Sequence, residues 1–122
     1  MPTACFTPDL ASGDGVRHFV EEELRRGAVT EEAVFRAQLL ATELVTNAVR
    51  HAGTPVELTV ALGDGRVRIQ ARDRSTAKPA SPPPDSETRH RGLLLVEDLS
   101  ENWGVEVEDH TGKVVWCEVA TS

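Results

Sequence analysis

A chain of 122 residues, 39% hydrophobic and 27% charged, has the composition of one globular domain large enough to build its own core. Its net charge of -7 excludes the basic footprint that non-specific nucleic-acid binding requires, and leaves room for a protein partner with basic patches. No stretch approaches the ~20 apolar residues of a membrane span. The opening MPTACFTPDL carries neither a basic n-region nor an apolar h-region, so the chain is expected to be cytoplasmic. Cys5 and Cys117 are then expected to be reduced thiols, packed as small hydrophobes.

Ala4-Cys5-Phe6-Thr7 reads as a short edge strand ended by Pro8. Ser12 can cap a helix over about 12–26, with Val16, Phe19, Val20 and Leu24 on one face and Gly27 as its stop. A longer helix follows over about 30–51. Thr30 is its N-cap, Glu31 and Glu32 suit the positive end of its dipole, and Gly53 and Pro55 end it. Val34, Ala37, Ala41, Leu44, Val45 and Ala48 recur at three- and four-residue intervals and form one apolar stripe. At ~100° per residue, Glu43, Asn47 and His51 form a separate polar ladder that drifts about 40° per step.

Two alternating runs follow, Val56-Leu58-Val60-Leu62 and Val67-Ile69-Ala71, separated by Gly63-Asp64-Gly65, which is a hairpin signal. Arg66, Arg68, Gln70 and Arg72 take the opposite face, implying a sheet covered on one side only. Residues 74–91 hold four prolines and no apolar periodicity, and read as a lid within the single domain 1–122. Gly92-Leu93-Leu94-Leu95-Val96 opens a third helix to about Ser100. Trp103-Gly104 leads into a second hairpin, Val105-Glu106-Val107-Glu108 and Val114-Val115-Trp116-Cys117-Glu118-Val119. Strand pairs joined by hairpins give an antiparallel or mixed sheet, and the expected architecture is a two-layer α/β sandwich, a mixed sheet of four or five strands with three helices on one face.

Three stretches offer chemistry. On the long helix, Glu43 can accept a proton from an attacking hydroxyl, and the Asn47 carbonyl oxygen suits a hard cation such as Mg²⁺. The same ladder can equally be an ordinary solvated face. Asp73, at a strand end and the mouth of the lid, can accept a hydrogen bond from an exocyclic amine, or simply start a turn. His90-Arg91-Gly92-Leu93 places a cation beside the free N–H groups of a helix start, an arrangement that suits a phosphate or serves as a lid hinge.

In this order, ELVTNAVRHAG, RGLLLVEDLSENWGV and GKVVWCEV resemble the N-box, second glycine box and final strand of the GHKL superfamily of ATP-binding domains. The likeness covers about 6–119 and is nearest to the single-domain anti-sigma-factor serine/threonine kinases and the related small ATP-binding regulators of actinobacteria. It implies the Bergerat, or histidine-kinase-like ATPase, fold. It further implies Glu43 as general base, Asn47 as Mg²⁺ ligand, and Asn47, Arg50, His51, Asp73, Arg91, Gly92 and Leu93 as nucleotide-binding residues. Asp73 would read the adenine, and Arg91 and Gly92 would meet the phosphates. His51 has an equal reading as a helix C-terminal cap. The implied cofactors are ATP and Mg²⁺. The implied partners are a sigma factor or an anti-anti-sigma protein of the STAS type, with no direct nucleic acid and no membrane, and a homodimer is implied.

Two departures from the family pattern stand out. The first glycine box, Asp-x-Gly-x-Gly, is here Asp73-Arg74-Ser75-Thr76-Ala77, so two side chains enter space that glycines leave to the nucleotide. His90 replaces a glycine of the second box. A non-catalytic binding module of the same fold is therefore the alternative function. A metal-dependent hydrolase using Glu43 and His51 would lack the three ligands a catalytic Zn²⁺ needs.

Overall fold

The computed structural model describes residues 3–6, 13–52, 55–73, 96, 98–108 and 112–122. In chain order these form β1 (Thr3–Phe6), α1 (Gly13–Leu24), α2 (Glu31–Ala52), β2 (Val56–Gly63), β3 (Arg66–Asp73), β4 (Asn102–Glu108) and β5 (Gly112–Ala120). The strands make one five-stranded sheet in the order β1-β2-β3-β5-β4. Every pairing in it is antiparallel, so the mixed sheet expected from the sequence is not what forms. The reason lies in the connections. Two of the four pairings are closed by tight hairpins, and antiparallel partners are the only ones such links can join.

Local chemistry accounts for α2. The Ala33 N–H donates to Thr30 Oγ1 at 3.1 Å and the Val34 N–H donates to the Thr30 carbonyl at 2.9 Å, so Thr30 is the N-cap. Glu31 and Glu32 lie in the first turn, and Glu32 pairs with Arg36 one turn on at 3.1 Å. The apolar stripe is sealed: Ala37, Ala41 and Val45 have no exposure, and Val34, Leu44 and Ala48 are also buried. It packs chiefly across β3, against Val67, Ile69 and Ala71. In α1, Val16, Val20 and Leu24 are likewise buried and Phe19 packs against the same core. The helix closes at Leu24, and the Gly27 N–H then donates back to the Leu24 carbonyl at 3.1 Å.

The described residues hold two helices, not three. At the third expected helix, Val96, Asp98 and Leu99 are helical and the Ser100 N–H donates to the Val96 carbonyl at 3.0 Å, a single turn. The start of that helix, and the lid, lie outside the described residues.

The β2–β3 hairpin pairs Gly63 with Arg66, leaving Asp64 and Gly65 as a two-residue turn with φ of 53° and 73°. Positive φ at both positions is the type I′ geometry that matches strand twist, and Asp-Gly favours it. Leu62, expected on the covered face, is 41% exposed and meets Gly27 at the edge of the helix layer.

β4 begins earlier than the sequence predicts, taking in Asn102, Trp103 and Gly104. Gly104 reads as a strand breaker by propensity, yet its place in the ladder is fixed by a neighbour. It pairs with Trp116, and a Cβ on Gly104 would lie 2.9 Å from three atoms of the Trp116 indole. Only a residue without a side chain lets that ring lie down on the outer face. The Arg68 guanidinium then sits 4.3 Å from the Trp116 ring centroid and 3.7 Å from Glu118. The outer face is otherwise a lattice of exchangeable surface pairs, Arg66 with Glu101 and Glu118 among them.

Two expected outcomes follow from these contacts. Gly104→Ala should destabilise the protein by about 1–3 kcal/mol, because a rigid ring and not a flexible tip must move. Urea denaturation with an unchanged midpoint would contradict this. The two thiols should also differ. Both are free, but Cys5 is exposed whereas Cys117 is buried, and burial pushes its thiol up to about 12. The expectation that both are packed away therefore fails for Cys5, which sits on an edge strand. At pH 8 a thiol reagent should label Cys5 in the native protein and Cys117 only after unfolding, as counted by mass spectrometry.

Candidate functional site

The direction of α2 decides what can meet. At its N-terminal end the Thr30 N–H donates to the Thr121 carbonyl at 2.9 Å, and the Thr121 N–H donates to the Gly65 carbonyl at 3.0 Å. The start of α2 is thus tied to the sheet end that carries the β2–β3 turn. A 22-residue helix spans roughly 33 Å, so its far end lies beyond the opposite end of β3. The link from Ala52 to Val56 confirms it, since four residue steps reach at most about 14 Å. Val56 is the register partner of Asp73, and Asp73 is the register partner of Lys113. The C-terminal half of α2 and Asp73 therefore share one end of the molecule.

On that half of α2, Glu43 and Asn47 are half-buried and flank the sealed stripe of Leu40, Leu44 and Ala48. They are one helical turn apart, so their side chains lie on one face. Neither side chain has a hydrogen bond or ion pair with another described residue. Arg50 is exposed. His51 belongs to the last turn of α2, and its side chain lies outside the described residues. Arg91, Gly92 and Leu93 lie outside them too, as do Ser75, Ala77 and His90.

Asp73 occupies the last position of β3. The strand alternates, and Val67, Ile69 and Ala71 point into the core, so Asp73 points to the helix side with them. Only 2% of it is exposed, an unusual position for a carboxylate. A charge so placed must be paired, and Lys113 Nζ stands 3.9 Å from Asp73 Oδ2. The sequence reading does not single out Lys113. The signal that finds it is register: once β3 and β5 pair, the last residue of one faces the beginning of the other.

The donor set fits a hard cation. Glu43 and Asn47 offer oxygen, and no group of three or more His, Cys, Asp or Glu suited to a metal occurs among the described residues. Mg²⁺ needs only one or two protein oxygens when phosphates and water supply the others. No helix of the described residues is long and apolar enough to cross a membrane.

Because Glu43 and Asn47 support no internal bond in the described structure, Glu43→Ala and Asn47→Ala should each change stability by no more than about 1 kcal/mol. Thermal melts of both variants test this. A large drop would mean that either side chain has a structural duty, and that loss of activity on substitution could not be assigned to chemistry.

A search of curated proteins finds no match to the chain. The model of the histidine kinase-like ATPase domain matches residues 6–118, which is nearly the whole sequence. With an α/β layer pair of compatible design, the chain belongs to the histidine kinase-like ATPase domain family, an ATP-binding fold of the GHKL type.

Proposed function

We propose that this protein binds ATP with Mg²⁺ and acts as a serine/threonine kinase toward an anti-anti-sigma protein of the STAS type, thereby controlling a sigma factor. The observation that carries the reading is Asp73, a buried carboxylate facing the helix layer at the end of the sheet where Glu43 and Asn47 lie. Family membership supplies the nucleotide, and the partner class rests on the likeness of the N-box and second glycine box to the small anti-sigma kinases. The acidic balance of the chain suits a partner with basic patches.

In this reading Asp73 accepts a hydrogen bond from the adenine amine. The Asn47 carbonyl oxygen would hold Mg²⁺, Arg91 and Gly92 would meet the phosphates with His51 near them, and Arg50 and Leu93 would complete the nucleotide site. Glu43 takes the proton of the incoming serine or threonine hydroxyl as its oxygen bonds to the γ-phosphorus and ADP leaves. The contribution of the protein is position and charge, which is what phosphoryl transfer requires. The protein works as a homodimer, a point that sedimentation of the purified chain tests directly.

The second reading, a regulatory binding module of the same fold with weak or no ATP binding, is favoured by Ser75 and Ala77 in place of the box glycines. One set of variants separates the two. Glu43→Ala should abolish phosphotransfer to a STAS-type partner and leave ATP binding largely intact, because a general base acts on the hydroxyl and not on the nucleotide. Asn47→Ala should also weaken the Mg²⁺-dependent part of binding. Wild-type protein that transfers no phosphate and binds no ATP, yet captures a sigma factor, would leave the binding module standing.

A further inference from the structure

We propose that Lys113 is a base-reading residue, which donates a hydrogen bond to a ring nitrogen beside the amine that Asp73 accepts. The proposal rests on the reading of Asp73 as the adenine contact. Its basis is the pairing of opposite charges at the end of β3 and β5, with Lys113 and Asp73 as register partners.

The separation is informative. At 3.9 Å the ammonium and the carboxylate attract each other but lie beyond hydrogen-bond range. This contact therefore consumes none of the three ammonium donors. Lys113 keeps 21% of its side chain exposed whereas Asp73 keeps 3%, so of the two it is the lysine that reaches solvent. A simple counter-ion would gain most by closing to a direct bond of about 2.8 Å. Lys113 instead keeps its donors beside the carboxylate that the nucleotide reading assigns to the amine, at a partly desolvated position where each hydrogen bond counts for more than in water.

Adenine offers the complement. Its exocyclic amine is a donor, and the ring nitrogens on either side of it, N1 and N7, are acceptors. One such edge can give the amine to Asp73 and take a proton donor from Lys113. Both residues are placed by backbone register on the helix-facing side of the sheet, so their spacing is held by the ladder and not by a loop. Lys113 is in this account a specificity-determining residue that touches the base, while Glu43 and Asn47 serve the phosphates.

Calorimetric titration of the full chain with ATP, 1-deaza-ATP and 7-deaza-ATP tests this, because each analogue keeps the amine and lacks one acceptor. Wild type should bind one of the two analogues roughly tenfold more weakly than ATP, the loss of one charge-assisted hydrogen bond. Lys113→Met should bind ATP about as weakly as wild type binds that analogue, and should no longer distinguish the two. Lys113→Arg should recover part of the difference. Circular dichroism checks that each variant is folded, and should Lys113→Met unfold, the wild-type analogue series decides alone. Equal wild-type affinity for ATP and both analogues, or undiminished discrimination in Lys113→Met, overturns the assignment while the nucleotide reading stands. Wild-type protein that binds none of the three overturns the nucleotide reading, and this assignment with it.

Discussion

The packing of α2 across β3 is the constraint on which the site depends. One stripe of small and branched side chains, Ala37, Ala41, Leu44, Val45 and Ala48, fixes the rotation of the helix about its axis. Once that stripe is sealed, Glu43 and Asn47 must emerge at its border, half-buried and on one face. The small residues also let the helix lie close to the sheet, so a polar side chain at the border remains near the strand ends. Sliding is prevented at the other end, where Thr30, Thr121 and Gly65 join helix, final strand and hairpin turn through backbone hydrogen bonds. Rotation and translation are thus set by different interactions, one apolar and one polar.

The second structural element of the site is a charge placed where carboxylates are rarely found. Burying Asp73 costs free energy that apolar packing of the same position would not, and a buried ion pair is seldom a gain in stability over hydrophobic residues. A residue that breaks the inward apolar pattern of Val67, Ile69 and Ala71 at the strand end is the departure on which the proposed ligand contact rests. The strand before it obeys the pattern throughout. The departure occurs only at the end that faces the C-terminal half of α2.

Much of this could be read in the sequence because it is periodic. The stripe on α2, the Thr30 cap, the Asp64-Gly65 turn and the alternation of β3 each follow from one local rule, and the structure keeps all of them. The errors share a different origin. The direction of the β1–β2 and β3–β5 pairings and the start of β4 depend on contacts between distant segments. Gly104 enters the strand only because Trp116, on the neighbouring strand, needs a residue with no side chain beneath its ring. Lys113 was invisible for the same reason: nothing near it in the chain marks it, and only the pairing of β3 with β5 brings it to Asp73. The third expected helix is a different case: its leucines at 93–95 lie outside the described residues, and Val96, Asp98 and Leu99 after them are helical.

The central claim is that the geometry around α2 and Asp73 serves a nucleotide despite the absence of glycines at 75 and 77. Calorimetric titration of ATP, with and without Mg²⁺, into the purified protein addresses it most directly. The account predicts saturable binding of one nucleotide per chain that tightens when Mg²⁺ is present and weakens for Asp73→Asn. No heat of binding at millimolar ATP, in protein shown by circular dichroism to be folded, would contradict it.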